Sequence, residues 1–231
     1  MFTTRKYQDE ALRLVVSEAN KVAIELHLPE LLPITTTNLT QAYIPPFEYG
    51  YRNKGVGNIT TSNYWYFVAQ GYKFSGLTIA NFDGHCFEYQ DKYRWPVSRI
   101  DTNAAYRLAT QWLAAVHMDV DGMNRDCRVE TIVDAFWNGL KPGEHPHGTF
   151  VPIYSVTWTS RKKKNARDDG SVADVALLAP TKTLLGLTVF DPKYILREPV
   201  VFTNLAALFP GKASITTNWP AKPQYITAPG P

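Results

Sequence analysis

The four residues Gly76-Leu77-Thr78-Ile79 return as Gly186-Leu187-Thr188-Val189, and each copy closes a longer pattern of an amphipathic helix followed by aromatic strands. The first pattern runs from about Arg5 to Asp83 and the second from Asp101 to Asp191. A helix with one apolar stripe and a sheet with one apolar face must bury those surfaces against each other, so the doubling points to two helix-on-sheet units. A chain of 231 residues is long enough for one large core or for two units of about 100 residues each. The repeat favours two units sharing an interface, and the expected fold class is α+β with two similar helix-plus-antiparallel-sheet units.

Periodicity fills in the units. Between Tyr7 and Leu26 the apolar residues Leu12, Val15, Ala19, Val22, Ala23 and Leu26 fall at helical spacing, which assigns Glu10, Arg13, Glu18 and Lys21 to the wet side. Pro29 and Pro33 stop this helix. From Ile34 to Asn58, Pro45-Pro46 with Gly50, Gly55 and Gly57 predict a long loop holding at most a short edge strand. Tyr64, Tyr66 and Val68 alternate with Trp65 and Phe67, so Asn63 to Ala69 reads as a central strand covered on both faces. It pairs with Tyr72 to Ile79 across Gln70-Gly71, and the turn chemistry of Asn81-Phe82-Asp83-Gly84 ends the unit.

In the second pattern Asp101 or Thr102 caps a helix whose stripe is Ala105, Leu108, Trp112 and Val116. Strands are predicted at Val129 to Trp137, Phe150 to Trp158, Ser171 to Leu178 and Leu184 to Phe190, the last two joined by the turn from Pro180 to Thr183. Thr203 to Phe209 predicts a helical turn, and the proline-rich stretch Asn218 to Pro231 an extended tail laid over the body through Trp219 and Tyr225. The division is therefore a first unit over 1–95, a second over 96–200, and a tail over 201–231.

Composition sets outer limits. With 45% apolar and 19% charged residues the chain has enough apolar and aromatic content for a packed core. A net charge of +3 does not point to nucleic acid unless it is concentrated, and the one basic run, Arg161-Lys162-Lys163-Lys164, leads into the turn composition of Asp168-Asp169-Gly170 and reads as a solvated hairpin loop. No apolar run is long enough to span a bilayer. Met1-Phe2-Thr3-Thr4-Arg5 is not a signal peptide, and the helix that begins almost at once reads as the start of a mature exported protein, periplasmic or extracellular. Cys86 and Cys127, one in each half, are open to two readings: a single disulfide joining the halves, or two buried thiols.

The second half carries a resemblance. A helix over Asn103 to Val116, a strand Tyr154-Ser155-Val156-Thr157-Trp158, then Val172 to Leu178 and Leu184 to Val189 around a tight turn, is similar to a PepSY-type or cystatin-like helix-on-sheet unit. The resemblance covers about 90 residues by pattern rather than by a diagnostic motif. It implies a domain that binds or inhibits peptidases and occurs in exported bacterial proteins. The whole chain also resembles uncharacterised exported bacterial proteins with an Asp-Thr-Asn-Ala-Ala-Tyr helix start, here Asp101 to Tyr106. Neither resemblance supplies catalytic residues.

Chemistry has three candidate places. The run from His117 to Asp126 is dense in oxygen ligands, and Asp119, Asp121 and Asp126 are the residues that would hold calcium. Against an EF-hand loop started at His117, histidine stands where aspartate is needed and Arg128 where the closing glutamate is needed; started at Asp119, Glu130 closes the loop but Gly122 is misplaced. The competing reading is a helix end with solvated acids. In Glu144-His145-Pro146-His147-Gly148, His145 and His147 are candidate zinc ligands, although the proline between them restricts their convergence and an exposed hairpin tip is the competing reading. His85 beside Cys86 points to opposite faces if the segment is a strand, and His27 reads as a dipole partner at a helix end. Neither a Gly-x-Ser-x-Gly elbow nor a phosphate-cradling glycine loop occurs.

The third place is the connector between units, where Trp95 sits with Tyr93, Arg94 and Arg99 and a cleft would form. These are the candidate ligand-binding residues. The leading expectation is an exported non-catalytic binding or inhibitory protein whose partner is a peptide, a protein or a small molecule, with no nucleic acid, no transmembrane segment and no cofactor beyond calcium or zinc. The alternative is a metal-assisted hydrolase of a small ester or lactone; a structural role in an assembly comes third.

Overall fold

The computed structural model describes residues 5–45, 56–69, 71–93, 100–133, 136–137, 149–161 and 170–199. Four helices are found there: α1 (Arg5–Glu25), α2 (Phe82–Lys92), α3 (Thr102–Ala115) and α4 (Val120–Asp126). Ten strands accompany them: β1 (Gln41–Tyr43), β2 (Gly57–Thr60), β3 (Tyr64–Ala69), β4 (Lys73–Ile79), β5 (Cys127–Ile132), β6 (Phe136–Trp137), β7 (Thr149–Phe150), β8 (Ile153–Ser160), β9 (Ser171–Leu178) and β10 (Thr183–Val189). Eight of these form one antiparallel sheet in the order β1-β2-β3-β4-β10-β9-β8-β5, while β6 and β7 pair separately. The fold is a mixed α+β arrangement of helices on an antiparallel sheet.

The strand order brings the two Gly-Leu-Thr segments together. They lie side by side at the middle of the sheet, with Gly186 opposite Thr78, Leu187 opposite Leu77 and Thr188 opposite Gly76. On one side of that seam α1 precedes β1 to β4 and contacts β2 and β4; on the other, α3 precedes β5, β8, β9 and β10 and contacts β5, β8 and β9. Both helices end alike. His27 (φ 51) and His117 (φ 59) take the left-handed conformation, and Leu28 N–H bonds back to Ala23 O just as Met118 N–H bonds back to Leu113 O, each at 2.9 Å. This closes a helix by satisfying carbonyls its last turn leaves unpaired, and histidine tolerates the positive φ better than a β-branched residue would. The central hairpin strands also start alike, with Tyr72 (φ 57) before β4 and Lys182 (φ 56) before β10. Each then carries an irregularity in register just ahead of its glycine.

The core lies between α1, α3 and α4 and the sheet face they cover. Alternation puts Tyr64, Tyr66, Phe74, Leu77, Leu187, Val175, Leu177, Val156 and Trp158 on that face, all buried. On α3 the fully buried stripe is Ala105, Ala109, Leu113 and Val116, with Leu108 and Trp112 packed along its margin. Asp101 is the cap, accepting from Ala104 N–H at 2.6 Å.

Several expectations are corrected. Glu18 is not on the wet side of α1: it is 4% exposed, hydrogen-bonds Arg197 through Nε, and accepts from Phe74 N–H at 3.3 Å. Arg197 also reaches Glu25 at 2.7 Å, so a residue after β10 ties α1 to the far half of the chain. Strand β3 is covered on one face only, because the helices on the core side leave Trp65 41% exposed on the other. The turn chemistry of Asn81 to Gly84 leads from β4 straight into α2, with Asn81 (φ 53) preceding the helix and its side chain lying where a Cβ on Gly84 would be, which explains the glycine. The stretch Val129 to Trp137 is two strands, β5 and β6, and Phe150 to Trp158 is likewise divided between β7 and β8, with Val151-Pro152 between them; proline has no N–H for the ladder. The predicted turn at Thr203 to Phe209, the tail from Asn218 and the lysines of the basic run lie outside the described residues.

Candidate functional site

The sheet face turned away from α1 and α3 is built from two rows that cross every strand. One row runs Tyr43, Asn58, Phe67, Gly76, Thr188, Asp174, Thr157, Glu130. The next runs Gln41, Thr60, Trp65, Thr78, Gly186, Ala176, Ser155, Ile132. Direct cross-strand partners share a face. At the seam the rows therefore meet in a square of Gly76, Thr78, Gly186 and Thr188, a floor nearly bare of side chains. Gly76 is required there, since a Cβ would come within 2.7 Å of Leu187 O, a backbone atom of the neighbouring strand.

The floor has unlike margins. On the β3 side, the Trp65 and Phe67 rings lie 4.6 Å apart at 42°. On the β9 side stands the half-buried Asp174, whose Oδ1 accepts hydrogen bonds from Ser155 Oγ and Thr157 Oγ1, each at 2.6 Å. Both donors go to the same oxygen. Among the described residues Oδ2 has no donor and no basic side chain pairs with Asp174. The margins are three strand spacings apart, about 14 Å. One end of the face is closed by α2, where Phe82, Cys86, Tyr89 and Tyr93 pack against Val151, Ile153, Leu178 and Leu185.

Of the predicted connector residues, Tyr93 follows α2 at this closed end, 6.1 Å from Tyr89 ring to ring and with Lys92 Nζ 5.4 Å from its own ring. Arg94, Trp95 and Arg99 lie outside the described residues, as do His145 and His147.

The acidic run is structured, but its acids do separate things. Asp119 caps α4 by accepting from Gly122 N–H at 2.9 Å, and a Cβ on Gly122 would collide with that carboxylate. Asp121 is exposed in the first turn of α4. Asp126 accepts from Tyr194 Oη at 3.1 Å, with Lys193 Nζ at 3.5 Å; the tyrosine hydroxyl, followed by Arg125 and Lys193, holds its carboxyl below the usual range. Among the described residues no three histidine, cysteine, aspartate or glutamate side chains come together in a metal-sized group.

The cysteines are free and buried in different clusters, Cys86 under α2 and Cys127 in the main core. His85 and Cys86 are consecutive residues of α2, so the segment is a helix and not a strand. Burial, with Asp83 adding to it, pushes the Cys86 thiol up to about 12, and burial likewise raises Cys127. A thiol that stays protonated is a poor nucleophile. Ser155 and Thr157 both donate to Asp174, and among the described residues no imidazole hydrogen-bonds to either hydroxyl.

Sequence reasoning named Trp65 and Phe67 as aromatics but placed Asp174, Ser155 and Thr157 in strands without a role. The available signal was an aspartate inside the apolar run Val172 to Leu178, on the same parity as Ala176. Among the described residues no helix is long and apolar enough to cross a membrane. No protein family, curated protein or solved structure matches the chain.

Proposed function

We propose that this chain is a non-catalytic binding protein made of two similar helix-plus-four-strand units joined edge to edge, and that it holds its ligand on the sheet face over the seam. The observation that carries this reading is the bare Gly76, Thr78, Gly186, Thr188 floor between an aromatic pair and a carboxylate with an open oxygen. Ligand sites combine apolar contact area with a few placed polar groups, and this face has both. The doubling draws support from the paired segments, the two histidine-ended helices, and the positive-φ residue and register irregularity ahead of each glycine. The resemblance to PepSY-type and cystatin-like units agrees with binding or inhibition as the role, and with an exported protein.

Amide chemical-shift mapping on the full chain, titrated with a mixed panel of short peptides and small polar aromatics, tests the site. Binders are expected to move the amides of Gly76, Thr78, Gly186 and Thr188, and Gly186→Trp, which fills the open side of the floor, is expected to abolish those shifts while leaving the spectrum folded. Binders that map away from the seam and bind the variant equally well would sink the reading. Chelator-sensitive hydrolysis of an ester or lactone, lost in Asp121→Ala, would put the hydrolase reading in its place.

A further inference from the structure

Resting on that binding face, we infer that its ligand is a basic peptide segment, with a lysine or arginine side chain seated on Asp174 Oδ2. Two short hydrogen bonds from Ser155 and Thr157 converge on Oδ1. They orient the carboxylate so that its second oxygen is the one left for a ligand. Among the described residues no basic side chain pairs with Asp174. A ligand that brings the positive charge completes the pair.

The rest of the face fits a peptide carrying that charge. The row through Asp174 also bears Glu130, one strand beyond Thr157, a second carboxylate for a basic peptide on the β5 side. Arg128, two residues from Glu130 on the same strand, and Arg161, whose Nε donates to Cys127 O, are cations near that edge. Toward β3, Trp65 and Phe67 offer ring surface both to apolar side chains and to a cation. The floor between these margins is about 14 Å across, the length of about four extended residues. Gly186, half-buried and with no atom closer than 3.5 Å to where its Cβ would be, lets a backbone come close, which a larger side chain would prevent.

The test uses the full chain and fluorescence anisotropy with a labelled eight-residue peptide carrying lysine at alternate positions and one tryptophan. Its lysine-to-glutamine analogue, a single-stranded oligonucleotide and an oligosaccharide serve as comparators. The lysine peptide is expected to bind about ten- to a hundredfold more tightly than the glutamine analogue. Asp174→Asn, which keeps an acceptor for both hydroxyls, is expected to erase that difference without weakening the glutamine analogue, and Trp65→Ala is expected to weaken both peptides severalfold. Equal binding of the two peptides, or an unchanged preference in Asp174→Asn, overturns the charge assignment; if they still shift the seam amides, the binding face stands. Seam shifts produced by the oligonucleotide or the oligosaccharide in place of the peptides overturn the peptide assignment alone. Peptide binding that leaves the seam amides unmoved overturns both readings. The glutamine analogue keeps the charge assignment testable even if the Asp174 variant unfolds.

Discussion

Gly76-Leu77-Thr78 and Gly186-Leu187-Thr188 are written with the same letters, occupy the fourth to sixth positions of their strands, and pair with each other, yet their glycines have different neighbours. Gly76 is buried, and a Cβ there would meet Leu187 O at 2.7 Å. Gly186 is half-buried, and a Cβ there would find its nearest atom, Thr78 Oγ1, at 3.5 Å, an ordinary contact. One glycine lets two backbones approach; the other keeps a surface bare. The comparison separates a residue type demanded by packing from the same residue type that leaves a surface open.

The largest effect tests the part the two segments share. Leu77 and Leu187 are both fully buried, face each other across the seam, and should each lose about 2–5 kcal/mol on substitution by alanine. Because they are in the same cross-strand pair, the double variant should depart from the sum of the single losses. Denaturant unfolding of the three variants measures this; strictly additive losses, or a loss at one site alone, would mean that the two leucines do not act as one contact.

A smaller effect should divide the glycines. Gly76→Ala is expected to destabilise by about 1–3 kcal/mol, since the backbone it strikes has no rotamer by which to retreat. Gly186→Ala should stay within about 0.5–1 kcal/mol of the parent. Melting temperatures of the two variants under identical conditions decide the matter, and equal losses would remove the distinction drawn above.

A further test concerns the cysteines, one in each half. Cys86 is neutral in the folded chain up to about pH 12, whereas an exposed thiol ionises near its ordinary value of 9.0. Its folded-state pKa is raised, so the stability it contributes is fully present below pH 9.0 and is lost as the pH rises toward about 12. Comparing alkaline unfolding of the parent with Cys86→Ala isolates this loss from that of the buried tyrosines, and the variant should show the shallower decline. A matching decline in both proteins would show that Cys86 is not the group responsible. With Cys127 also raised by burial, neither thiol should be alkylated at neutral pH before unfolding.

Much of the architecture was legible because it depends on short-range rules. The stripe of α1, the Asp101 cap, the limits of β9 and the pairings of β3 with β4 and of β9 with β10 all follow from local periodicity and turn chemistry. What was missed depended on distant partners. Glu18 looked like a surface residue because its cation, Arg197, lies far along the chain. Asn81 to Gly84 looked like a turn because turn and helix-start residues are the same small polar set. Trp65 looked buried because aromatic strands usually are, and only the placement of the helices decides which face stays open.

The candidate site divides in the same way. Sequence by itself determined that two Gly-Leu-Thr segments would sit in strands and that Trp65 and Phe67 would share one face, since both facts depend on a period of two residues. Tertiary structure alone decided that those segments pair with each other, that their glycines lie in adjacent rows, and that Asp174 stands across the floor from the aromatics. Strand order and register are properties of pairing between segments far apart in the chain, and no local propensity encodes which partner a strand will take.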